Sequence, residues 1–176
     1  MKIHITGTTR GLGLAVKEYS QLRGWSVTAL DRPVHDLASD LDSFVLTDFD
    51  VYVNNAYHAW AQTDLLYRLW EMNQDRRCLI INVGSVVVDR LYDRVYPYAI
   101  HKTALSEACK QLQQIDSSCK ITHLKMGRMD TDMVAHRTGP KLDTATVAKQ
   151  IGHIIDMPHG CVVKELTLDN DFSSLS

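Results

Sequence analysis

Ile3-His4-Ile5-Thr6 runs straight into Gly7, and Gly11 and Gly13 follow before helical spacing of apolar residues sets in. Glycines this dense between a β-rich run and a helical one dictate a sharp strand-to-helix turn. Glycine reaches positive φ without a Cβ penalty and lets backbone approach another group closely. A helix that begins at such a turn aims unpaired N–H groups at it, where an anionic pyrophosphate is favoured. The spacing is Gly-x-x-x-Gly-x-Gly rather than Gly-x-Gly-x-x-Gly, so the turn alone also fits an ordinary glycine loop. Its place directly after an apolar strand favours the dinucleotide cradle.

The remaining pattern extends this unit along the chain. Short β-rich runs near 2–6, 26–30, 50–54, 79–84, 120–125 and 162–168 alternate with helical patterns near 11–23, 63–75, 97–114 and 143–155. Alternation of this kind predicts an α/β fold, a doubly wound parallel sheet in a single domain spanning 1–176. Residues 32–49 leave room for the run Pro33 to Leu37 and one small helix, so one covering helix is expected to be reduced or missing. The four cysteines form no C-x-x-C pair, which suits reduced thiols and no disulfide framework. A net charge of -2 gives no electrostatic case for nucleic acid or an anionic membrane. No apolar stretch approaches the roughly 20 residues that span a bilayer, and a strand beginning at residue 2 or 3 leaves no leader. The expectation is a soluble cytoplasmic protein.

Chemistry concentrates in two places. Asp31 ends the second strand about 18 residues after Gly13, where a carboxylate hydrogen-bonds ribose hydroxyls and repels a 2′-phosphate. Arg10 and Arg32 could instead pair with that phosphate. Carboxylate repulsion close to the ribose should matter more than two mobile guanidiniums, and the reading leans to NAD over NADP. Further on, Ser85 closes the apolar run Leu79 to Val83, and Tyr98 stands four residues before Lys102 on one helix face. Free tyrosine has a pKa of about 10; an ammonium beside it stabilises the phenolate and suits it to proton transfer. Ser85, at the carboxyl end of a central strand, can hydrogen-bond a reacting oxygen.

At these residues the chain resembles the short-chain dehydrogenase/reductase family over nearly its whole length. Thr6 to Gly13 (Gly7, Thr8, Thr9, Arg10, Gly11, Leu12, Gly13) is similar to the family's T-G-x-x-x-G-x-G cofactor motif. Asp36-Leu37 resembles its adenine-holding motif, and Asn54-Asn55-Ala56 the start of its N-N-A-G motif. Gly127 to Thr131 resembles its P-G-x-x-x-T segment, which implies that Thr131 binds the nicotinamide carboxamide and that Gly127 lines the pocket. The resemblance implies a carbonyl/alcohol oxidoreductase using NAD or NADP. Ser85 would orient the oxygen, Tyr98 would act as acid/base, and Lys102 would tune Tyr98 and bind the nicotinamide ribose. It also implies a homodimer or homotetramer through the helices near 63–75 and 97–114.

The departures are as specific as the matches. The chain is much shorter than the family's usual length, and the cut touches the region supplying the family's catalytic asparagine. Asn73 sits late on its helix, and neither Gln62 nor His58 is assigned that role. Tyr57 replaces the last glycine of N-N-A-G, and Met126 replaces the proline before Gly127. The short loop at 132–142 implies an open or small substrate site. Among other polar residues, the histidines form no metal-binding cluster, and His101 and His123 read as packing or surface residues. Trp60 and Tyr96 are candidates for a substrate cleft, and Asp130 and Asp132 for a helix cap. A second reading, a nucleotide-binding sensor without turnover, rests on the missing asparagine and the trimmed scaffold.

Overall fold

Six strands form: β1 (Lys2–Thr6), β2 (Ser26–Leu30), β3 (Val51–Asn54), β4 (Leu79–Val83), β5 (Lys120–Met126) and β6 (Glu165–Leu168). Four α-helices join them: α1 (Gly11–Leu22), α2 (Ala61–Asn73), α3 (Pro97–Leu112) and α4 (Thr144–Ile155). The computed structural model describes residues 1–131, 138–158 and 160–171, and these counts refer to them. Every strand pair is parallel, in the order β2-β1-β3-β4-β5-β6. The fold is the doubly wound α/β sheet read from the sequence. Its last strand starts at Glu165 rather than 162, and α2 starts at Ala61 rather than 63.

Strand periodicity serves two cores. Ile3, Ile5, Val51, Val53, Ile81, Leu124 and Met126 face α1 and α4, where Val16, Val147 and Ile151 meet them. Tyr52, Ile80 and Ile121 face α2 and α3 and pack with Leu65, Leu69, Leu105 and Leu112. The same period-2 rule puts Asn54, Asn82 and His123 on the α2/α3 face, in register across three neighbouring strands. A polar row therefore lies buried beneath those helices.

The β2–β3 connection is where the chain is trimmed. Only a 3₁₀ turn, Asp42–Phe44, forms there, in place of the small helix expected. Leu37, Phe44 and Phe49 are buried and do the covering instead, with the Tyr52 hydroxyl donating to Phe44 O at 2.9 Å. β2 is the sheet's edge and most of its residues are exposed or half-buried. α4 is capped by Asp143, whose carboxylate accepts from the Ala145 and Thr146 N–H groups. Asp130, expected as a cap, pairs with Lys141 at 3.2 Å; Asp132 lies outside the described residues. Among the described residues no helix is long and apolar enough to cross a membrane, and no group of three metal-ligating side chains converges.

Candidate active site

In a parallel sheet the loops after each strand gather at one edge, and here they enclose a cleft of about 570 Å³. One wall is the glycine turn. Gly7 and Gly11 take φ +72° and +58°, the left-handed region where a side chain is strained. Gly13 is required for another reason: a Cβ there would stand 1.9 Å from Gly7 O. The start of α1 thus lies directly on the turn. Thr6 and Asn55 lock the turn to β3. Thr6 Oγ1 accepts from the Asn55 and Ala56 N–H groups at 2.9 and 2.8 Å, and Asn55 Nδ2 donates to Thr6 O and Gly7 O.

The far end of the cleft is bordered by Asp31, Arg32, His35, Asp36, Leu37 and Phe44. Both Asp31 oxygens are engaged by Thr8: the backbone N–H donates to Oδ1 and the hydroxyl to Oδ2 at 2.6 Å. Asp31 therefore clamps the glycine turn while lining the cleft wall. Thr8 is itself buried.

Tyr98 and Lys102 emerge from the first turns of α3 onto the opposite wall. Burial pushes the Tyr98 phenol up to about 12, the reverse of the lowering expected from a neighbouring ammonium, and a hydrogen bond with Ser85 opposes the rise. Ser85 is held at the start of the 3₁₀ turn Val86–Asp89, its hydroxyl accepting from Val87 N–H at 3.3 Å. Lys102 is 3% exposed, and desolvation pushes its ammonium down to about 7. Its Nζ donates to Gln62 Oε1 at 2.7 Å and to Val83 O at 2.8 Å. It also lies 5.2 Å from the Tyr57 ring centre and 5.7 Å from that of Tyr98.

Most residues singled out in the sequence converge here: Gly7, Thr9, Arg10, Gly11, Leu12, Asp31, Arg32, Asp36, Leu37, Asn55, Ala56, Tyr98, Lys102 and Thr131 line the cleft. Thr8, Gly13, Asn54, Ser85 and Gly127 do not line it. Thr8 and Gly13 shape the turn, and Asn54 is fully buried, donating to Gln62 O and Asn82 Oδ1. A Cβ on Gly127 would meet Asp169 and Asn170, so that glycine is spent on packing beside β6. Thr131 sits against the turn, its methyl 3.1 Å from where a Gly11 Cβ would be.

Sequence reasoning missed an aromatic cluster. The Tyr57 ring stands edge-on to Tyr98 at 4.9 Å, and its hydroxyl is 2.8 Å from His101 Nδ1. His101, read as a packing or surface residue, in turn meets Trp60 at 4.5 Å, and Tyr96 lies 5.8 Å from Tyr98. The signal was the bulky Tyr57 at the position that follows Asn-Asn-Ala.

No protein-family model and no curated protein matches the sequence. Solved structures match the fold end to end. A short-chain dehydrogenase/reductase from Vibrio parahaemolyticus superposes with a TM-score of 0.76 at 14% identity, over 96% of this chain and 99% of that one. An alcohol dehydrogenase from the archaeon Thermococcus sibiricus, complexed with 5-hydroxy-NADP, gives 0.75 at 19% identity over 96% of each chain. The 3-alpha-hydroxysteroid dehydrogenase from Pseudomonas sp. B-0831, complexed with NADH, gives 0.75 at 17% identity over 99% and 98%. The chain has the short-chain dehydrogenase/reductase fold.

Proposed function

We propose that this protein is an NAD(P)-dependent oxidoreductase that interconverts a carbonyl and an alcohol. The observation that carries the reading is that Tyr98 and Lys102 line the same cleft as the glycine turn. The cleft residues fit a nicotinamide dinucleotide. Gly7 and Gly11 bring bare backbone to the cleft wall at the start of α1, where a pyrophosphate is favoured, and the Asp31 carboxylate suits ribose hydroxyls. Leu37 and Phe44 give the far end of the cleft an apolar lining that suits a flat base, and Thr131, also on the wall, would offer a polar partner for the ring's amide. The bound group would supply or accept the hydride.

This chain's own residues manage the proton. With its phenol held near 12, Tyr98 is protonated throughout the neutral range and serves as the acid for a developing alkoxide. Ser85, joined to Tyr98, supplies a hydroxyl to hold and orient the reacting oxygen. The Lys102 ammonium, beside the Tyr98 ring, stabilises the phenolate left after the proton departs. The carboxylate at Asp31 favours NAD over NADP. Steroid, sugar, thioester, pterin and small-ketone substrates all remain within this reading.

A sensor without turnover is the second reading, and the observation favouring it is the Tyr57 ring lodged against Tyr98. Tyr98→Phe separates the two. For the enzyme, carbonyl reduction across a panel of those substrate classes falls on the order of 10²–10⁴-fold while NADH and NADPH affinities hold. Wild-type protein that binds the dinucleotides but reduces nothing in the panel would leave the sensor.

A further inference from the structure

Gln62 is 2% exposed at the second position of α2, and every polar atom of its side chain has a partner. Nε2 donates to Asn54 O at 2.8 Å and to Val83 O at 3.2 Å, and Oε1 accepts from Lys102 Nζ at 2.7 Å. Only one orientation of the amide works: reversed, it would set NH₂ against the ammonium and oxygen against two carbonyls. Its backbone carbonyl also accepts from Asn54 Nδ2 at 2.9 Å. One side chain thus ties the carboxyl ends of β3 and β4 to the lysine of α3.

The surroundings of Lys102 give that contact its weight. An ammonium has three donors; two are taken by Gln62 Oε1 and Val83 O, and the third is left for the cleft. The titratable groups facing it are Tyr57 from the loop after β3, Tyr98 and Cys109 on α3, and His123 on β5. None is a carboxylate, and among the described residues no carboxylate forms an ion pair with Lys102. A carboxylate at this point would lock the ammonium charged, whereas a neutral carbonyl holds its position and leaves it able to exchange a proton near neutrality.

We propose that Gln62 is the positioning residue for Lys102: its side-chain carbonyl fixes the ammonium on the cleft wall and sets the pH range over which it stays charged. The inference deepens the oxidoreductase reading, yet its first readout needs no turnover. Protein carrying [ε-¹³C]lysine is titrated by NMR, with Lys102→Arg identifying the resonance. Gln62→Glu, which puts a carboxylate against the ammonium, raises the Lys102 midpoint by about 1–3 units, and Gln62→Met lowers it. In the wild type the Gln62 side-chain amide ¹⁵N resonance follows the same midpoint, a measurement that needs no variant to fold. The pH limb of carbonyl reduction moves with the lysine in each variant. Lys102 midpoints within about 0.3 units of wild type in the folded variants, or no side-chain amide tracking Lys102, overturn the proposal. An NMR shift without any turnover would sink the oxidoreductase reading while leaving the Gln62–Lys102 coupling standing.

Discussion

Gly13→Ala puts two physical effects in direct opposition, so the sign of the result is informative. Gly13 is the third residue of α1 and its φ is not in the left-handed region, so alanine suits the backbone. Helix propensity alone predicts a gain of about 1 kcal/mol. The structure predicts a loss. A Cβ would lie 1.9 Å from Gly7 O and 2.8 Å from Asn55 Nδ2, both parts of the cradle wall. The start of α1 would have to retreat by about 1 Å to relieve the carbonyl contact. Overpacking of this kind costs about 1–3 kcal/mol, and disturbing the Asn55 bonds to Thr6 O and Gly7 O adds about 1 kcal/mol. Set against the propensity gain, the net expectation is roughly 1–3 kcal/mol of destabilisation, read as a lower urea midpoint by far-UV circular dichroism. Dinucleotide affinity should fall with it, since the shifted backbone is the cradle. Gly24→Ala is the control: nothing lies within 4 Å of its Cβ, and only its φ of +71° opposes the change, at about 1–2 kcal/mol. A Gly13→Ala protein as stable as wild type would refute the close approach of helix and turn.

Two further perturbations test the charges. Asp31→Asn keeps the shape that holds Thr8 but removes the carboxylate's charge; the ratio of NADP to NAD affinity should rise about 10-fold by parallel calorimetric titration, and an unchanged ratio would show that Asp31 only clamps the turn. His123 is 1% exposed and desolvation lowers it from 6.5 to about 4, against an opposing pull from Glu165 at 3.5 Å and with Lys125 and Lys102 acting in the same sense as burial. Because the folded value is depressed, its contribution is full above about pH 6.5 and is lost as pH falls towards 4, up to roughly 3 kcal/mol. His123→Gln should flatten that acid limb in urea midpoints measured between about pH 7.5 and 4.5, and an acid limb as steep as wild type's would place the titrating group elsewhere.

The legible part of this molecule is the part encoded by local pattern. Period-2 runs and the spacing of apolar residues placed the strands and helices within a few residues, because each face must be buried against something. Glycines at 7, 11 and 13 marked the turn, because a tight strand-to-helix reversal needs backbone that a side chain would obstruct. Ser85, Tyr98 and Lys102 could be named as candidates because they sit just past a strand's carboxyl end and in the first turns of a helix, whose directions the fold fixes. Less was legible where several residues compete for one job, as with the cap that fell to Asp143 rather than Asp130.

Partners, unlike positions, had no sequence signal. Lys102 is held by Gln62, 40 residues away, and Asp31 by Thr8, 23 residues away. Tyr57 meets Tyr98 and His101 only because the loop after β3 and the first turn of α3 end at the same edge of the sheet. The shortened β2–β3 connection likewise gave no hint that Leu37, Phe44 and Phe49 would stand in for a helix. Periodicity and turn chemistry are properties of neighbouring residues, so the sequence by itself determined the α/β sheet, the glycine turn and which side chains could do chemistry. Burial, charge state and hydrogen-bond partners depend on which distant elements pack together, and only the tertiary structure decided those.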